Sequence, residues 1–146
     1  MSVVISREEI TAFVARHVEV FHRHDPVKLA AHHTIDGTVV SPMFATVHGR
    51  QAIEDSYRAL FRAFPDWTLK VEDIVVEQDK AVVLVTSTAT HVNEFFGLPG
   101  THKRFEIRGA RYMRFADGLI AHEQRIYDFT GLLIQIGVLR AKPAKP

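Results

Sequence analysis

Along the first third of the chain, apolar residues recur every three to four positions. Ile10, Phe13, Val14, Val18 and Phe21 fall on one helical stripe, with His17 in the same row. Ser6-Arg7-Glu8-Glu9 ahead of this run fits a capping box, in which the Ser6 hydroxyl takes a backbone N–H and Glu9 reaches back. Asp25-Pro26 reads as an N-cap followed by proline at the first helical position, and predicts a short helix through about His33. A turn at Asp36-Gly37 leads into a β-branched, apolar strand from Thr38 to Phe44. From Gly49 the helical period returns at Ile53, Tyr57, Leu60, Phe61 and Phe64, until Pro65 stops it. After Pro65 the period becomes that of strands: Thr68 to Glu77, Ala81 to Val92, Lys103 to Phe115 and Leu119 to Phe129. Gln78-Asp79-Lys80 and Ala116-Asp117-Gly118 separate them, the second with the Asp-Gly pair of a tight hairpin. Leu132 to Leu139 predicts a last short helix or extended cap.

Three helices followed by four long antiparallel strands indicate an α+β domain whose curved sheet wraps around the N-terminal helices. Such a sheet leaves a pocket between its concave face and the helices, a usual place for a small ligand. No repeats or linkers interrupt the pattern, so one domain is expected over residues 1–140. Residues 141–146 are too polar and proline-rich to pack, and are expected to form a disordered tail. Composition narrows the chemistry. With 146 residues the chain can bury roughly two-thirds of its unfolded surface without staples. The absence of Cys removes disulfides, thiolate zinc sites and cysteine nucleophiles. Eighteen Lys/Arg against seventeen Asp/Glu argue against a nucleic-acid partner. No apolar run approaches the roughly 18 residues of a membrane span. The start, MSVVISREEI, lacks the apolar core of a secretory signal, and a cytoplasmic location is expected.

The middle and end of the chain carry a resemblance. Ala63-Phe64-Pro65-Asp66-Trp67, Val71-Glu72-Asp73, Thr90-His91 with Glu94-Phe95 and Gly97-Leu98-Pro99 are similar to segments of the SnoaL-like polyketide cyclases. These belong to the nuclear transport factor 2-like superfamily. The likeness runs on through Thr101, Lys103, Arg114-Phe115, Asp117-Gly118 and Ile120 to Tyr127-Asp128-Phe129-Thr130-Gly131-Leu132-Leu133, Gln135 and Gly137, covering about residues 49 to 139. It implies a cone-shaped fold with a deep pocket, and intramolecular aldol closure of aromatic polyketide precursors without metal or organic cofactor. It also places the family's acid/base aspartate on Asp128 and its Thr-His histidine on His91. Asn93, Gly100 and His102 depart from the common glycine, proline and glycine. His122 and Gln124 stand where glutamate and tryptophan are frequent. Loss of that aromatic points away from an aromatic polyketide substrate.

Read from the residues alone, strict alternation puts Ile120, Gln124, Ile126 and Asp128 on one strand face and Leu119, Arg125, Tyr127 and Phe129 on the other. A carboxylate among isoleucines is desolvated and rises from about 3.9 toward neutrality, as a group that takes and returns a proton requires. With a hydrogen-bond donor at the enolate oxygen, that base suffices for aldol or isomerisation chemistry at an acidic C–H. Asp128 equally fits an N-cap for the last helix, and His91 equally fits a strand-end histidine holding the Val92 to Gly100 loop. The expected catalytic residues are Asp128 and His91, and the expected substrate-binding residues are His17, Ser41, Gln124, Asn93 and Arg108. Arg108 and Arg111 lie on opposite faces of their strand, so one of them can enter the pocket.

Nine histidines invite a metal, but no HExxH fragment is present. His32 and His33 would diverge by about 100° on a helix, and no metal site is expected. His22, His24, His48 and His122 read as surface residues. Asp25 reads as a cap. Ile35 to Pro42 is similar to the ketosteroid isomerases' base segment but carries Ser41 at the base position, which argues against a steroid isomerase. The expectation is therefore a cofactor-independent enzyme acting on a carbonyl or polyketide-like small molecule by cyclisation or isomerisation. The alternatives are a hydratase, dehydratase or epoxide hydrolase on the same fold, or a non-catalytic small-molecule-binding or dimerisation module. Long strands favour a homodimer or homotetramer.

Overall fold

Ser6 Oγ accepts from the Glu9 N–H at 3.1 Å and Glu9 Oε1 accepts from the Ser6 N–H at 3.2 Å, so the first helix starts where its capping box directs. This is a computed structural model, and it describes residues 4–140. The expected tail, 141–146, lies outside the described residues. Helix α1 (Arg7–His22) buries Ile10, Phe13, Val14, His17 and Phe21. Helix α2 (Pro26–Ala31) is capped by Asp25, whose Oδ1 accepts from the Lys28 N–H at 3.0 Å. It stops short of the expected His33. His32 is its C-cap, and the His32 carbonyl accepts from Ile120 N–H, pulling the chain into the sheet.

Strand β1 (His33–Ser41) follows directly and turns into a short β2 (Ala45–His48) that sequence periodicity does not reveal. Gly49 at φ +87° opens helix α3 (Arg50–Ala63), a conformation that favours glycine. Strands β3 (Thr68–Glu77), β4 (Lys80–Thr90), β5 (Arg104–Ala116) and β6 (Leu119–Tyr127) come next, then helix α4 (Phe129–Gln135). The sheet order is β2-β1-β6-β5-β4-β3, antiparallel except for the parallel pair β1 and β6. This is the α+β cone expected, with one parallel pairing, β1 to β6, one strand in from the β2 edge. Among the described residues no helix is long and apolar enough to cross a membrane.

The inner face of the sheet carries Ala81, Val83, Val85, Ser87 and Ala89 on β4 and Phe105, Ile107, Arg111, Met113 and Phe115 on β5, all buried. It closes over Phe21, Tyr57, Phe61 and Phe64 from the helices. On β6 the expected alternation fails. Arg114 pairs with His122 but Phe115 pairs with Ile120, so Ala121 is an extra residue and a β-bulge. One added residue inverts every side chain after it. Ile120 points inward before the bulge, and Glu123 and Arg125 point inward after it, while Gln124 and Ile126 turn to the outer face, Ile126 being 57% exposed. The face on which strict alternation places Gln124, Ile126 and Asp128 is therefore the solvent face.

Candidate functional site

Because of that bulge, Glu123 and Arg125 meet Arg111, which lies directly opposite Arg125 in the β5/β6 register. Glu123 Oε2 accepts from Arg125 Nε at 2.7 Å and stands 3.5 Å from Arg111 Nη1. Arg125 Nη2 also donates to the Tyr57 hydroxyl at 2.8 Å, and its guanidinium lies over the Tyr57 ring. Burial alone would raise the Glu123 carboxyl, but Arg125 and Arg111 overcome this and hold it well below the usual carboxylate range. The same contact outweighs desolvation at Arg125 and pushes its guanidinium up. Burial, aided by Arg125, lowers Arg111.

Behind this triad lie histidines. His33 Nε2 is 3.8 Å from Glu123 Oε1, and His17 Nδ1 is 2.7 Å from His32 Nδ1. Burial pushes His33 down to about 4 and His17 well below its ordinary value, against the pull of Glu123, so both imidazoles are neutral near pH 7. His17 Nε2, both His33 ring nitrogens and Glu123 Oε1 are buried without a hydrogen-bond partner among the described residues. Among those residues no three His, Asp or Glu side chains are grouped as metal ligands would be.

In front of the triad the inner face leaves a cavity of about 30 Å³, room for one water or the head of a small ligand. Trp67, Val85 and Ile107 form its apolar wall, and Ser87, Arg111, Arg125 and Tyr127 supply polar edges. Burial raises the Tyr127 phenol above its ordinary value, so its hydroxyl remains protonated across the neutral range.

The residues expected from sequence are distributed differently. His17 is buried in the histidine group, and Ser41 is buried at the end of β1, outside the lining of the cavity, where its Oγ accepts from Phe44 N–H at 3.0 Å. Arg108 is exposed and Arg111 is the arginine that enters. Gln124 is exposed on the outer face. Asn93 is exposed and donates to the Arg62 carbonyl at 2.8 Å. His91 is buried among Phe64 and Phe95, and its Nδ1 meets the Thr101 N–H at 3.3 Å, which ties down the following loop. Asp128 is exposed, and its Oδ1 accepts from the Gly131 N–H at 2.8 Å as the cap of α4. His91 and Asp128 are not brought together. Their strands meet β5 near Lys103 and Gly109, six residues and on the order of 20 Å apart at the rise of a strand. Sequence reading missed Glu123, Arg125 and Tyr127 as interior groups. The signal was present in a charged pair and a phenol at alternate positions, but the bulge hid which face they take.

The chain's relatives follow from this geometry. The family model for SnoaL-like polyketide cyclase matches residues 11–136. No curated protein matches the chain. AclR from Streptomyces galilaeus, a candidate hydroxylase, is 28% identical with a TM-score of 0.81 over 94% of this chain and 91% of its own. IdmH from Streptomyces antibioticus, a candidate polyketide cyclase, is 26% identical with a TM-score of 0.73 over 88% and 98%. TsrD from Streptomyces laurentii is 25% identical with a TM-score of 0.81 over 92% and 99%.

Proposed function

The chain belongs to the SnoaL-like polyketide cyclase family, and on that premise we propose that its inner cavity converts a small carbonyl compound by acid–base chemistry of its own side chains. The observation that carries this reading is the buried pair Arg111 and Arg125, sharing one carboxylate beside a cavity edged by the Tyr127 phenol. A carbonyl oxygen seated between Arg125 and Tyr127 would meet two donors in a water-poor site, where such donors are worth far more than in water. They stabilise the enolate that forms when an acidic neighbouring C–H loses its proton, and Tyr127 can return a proton to oxygen. The proton passes to water at the mouth of the cavity, since burial holds His33, behind Glu123, at about 4 and leaves it a poor acceptor near pH 7. Aldol closure and isomerisation both run through this enolate.

The family resemblance would give the acid/base role to Asp128. Its exposed carboxylate, engaged with Gly131, favours the cap instead. That exposure also supports the second reading, a binding module without turnover. Self-association fits either reading, since Val75, Leu84 and Ile126 are exposed on the sheet.

The test follows deuterium exchange at the acidic C–H of methyl 2-methylacetoacetate by proton NMR. Wild type is expected to accelerate exchange over buffer, Tyr127→Phe to lose roughly 100-fold of that acceleration, and Asp128→Asn, which keeps the cap, to retain it. No acceleration by wild type leaves the binding module. Loss of activity in Asp128→Asn returns the acid/base role to that carboxylate.

A further inference from the structure

The interior is out of charge balance. Two guanidiniums, Arg111 and Arg125, face each other across β5 and β6, and one carboxylate, Glu123, lies between them, so one positive charge remains. Like charges directly opposite in a sheet repel, and a buried charge without a partner is costly. The excess sits on Arg111. Arg125 gives Nε to Glu123 and Nη2 to Tyr57, whereas Arg111, with five N–H donors, makes no hydrogen bond to any described residue and reaches Glu123 only at 3.5 Å. Arg111 is 7% exposed and lines the cavity, with its guanidinium carbon 5.6 Å from the centre of the Phe21 ring. A buried guanidinium with its planar fork unfilled, at the edge of an apolar cavity, is built for a carboxylate.

We propose that the cavity binds an organic anion, its carboxylate paired with Arg111 and its apolar body lying toward Trp67 and Ile107. This rests on the reading of the cavity as the functional site and narrows its ligands to carboxylic acids, such as keto acids whose carbonyl reaches Arg125 and Tyr127. The volume of about 30 Å³ admits the carboxylate head, and the body stays at the mouth. A neutral ester or amide of the same shape leaves the charge uncompensated.

Trp67 lines the cavity and is the one tryptophan of the chain, so its fluorescence reports occupancy. Benzoate and benzamide, titrated at pH 7.5 and constant ionic strength, differ chiefly in charge. Benzoate is expected to change the fluorescence saturably and to bind at least tenfold tighter than benzamide, with that preference lost in Arg111→Met. Without ligand, Arg111→Met is expected to melt no lower than wild type, because it removes the unbalanced charge. Equal affinity for the two ligands, no saturable response to benzoate, or an undiminished preference in Arg111→Met overturns the proposal. Should Arg111→Met not fold, the balance argument fails with it. Deuterium exchange is a separate readout, followed for both 2-methylacetoacetate and its methyl ester: acceleration of either without benzoate binding leaves the enolate chemistry and removes the anion site, while benzoate binding without acceleration of either leaves the anion site and removes the enolate chemistry.

Discussion

At Asp128 the carboxylate oxygen meets the Gly131 N–H at 2.8 Å, one residue beyond a tyrosine that lines the cavity. The two neighbours are placed differently, because alternation turns Tyr127 to the cavity and leaves Asp128 beyond the end of β6 as the cap of α4. Truncation separates the roles. Asp128→Ala removes an N-cap and is expected to cost about 1 kcal/mol in urea unfolding, while keto ester exchange stays within about threefold of wild type, a change below the roughly 100-fold that loss of an acid/base group produces. A stability change near zero would show that the cap contributes nothing. His91 makes the same point from the other side. It is buried and accepts from the Thr101 N–H of the loop that follows its strand, an arrangement that fits the anchoring alternative for a strand-end histidine.

At the scale of elements, β6 depends on one bulged residue, Ala121, and on the close approach of its neighbour. A Cβ placed on Gly109 would lie 2.8 Å from the Ile126 carbonyl oxygen and 3.0 Å from the Tyr127 Cβ. Gly109→Ala must therefore push β6 away from β5, and Tyr127 with it. The expected cost is about 1 to 3 kcal/mol, seen as a lower urea midpoint, together with a loss of keto ester exchange larger than Asp128→Ala shows. An unchanged midpoint would mean that the strands yield without strain. The bulge also explains why the interior triad was not legible. The face of Glu123, Arg125 and Tyr127 depends on a register shift that no local pattern around Ala121 announces. By contrast the caps at Ser6 and Asp25 were legible, since each bonds within four residues of itself.

Across the whole molecule the histidine group sets a pH dependence. His33 titrates near 6.5 when unfolded and at about 4 when folded. Between these values the unfolded chain holds a proton that the folded chain refuses, so the contribution is full above pH 6.5 and is lost as pH falls toward 4. The lowered values of His17 and His32 act with the same sign. His33 alone is worth on the order of 3 kcal/mol across that window. Glu123, whose folded value is depressed, adds a loss that begins only as pH falls through the ordinary carboxylate range. Urea unfolding is expected to show stability falling between pH 7 and pH 4.5, with a shallower fall in His33→Gln. A flat profile over that range would show that the imidazoles are not buried as neutral groups.

The sequence by itself determined what short-range physics controls. Helical and strand periods, caps and the Asp-Gly turn placed α1, α3 and the four long strands, and the motifs from Phe64 to Gly137 pointed to the family. Short elements such as β2 escaped because four residues carry too little period to detect. Only the tertiary structure decided the site. The pairing of Arg111 with Arg125, the burial of Glu123 between them, and the meeting of His17 with His32 join residues far apart in the chain. Their charges and protonation states follow from desolvation and from neighbours across strands, and neither exists until the sheet has closed over the helices.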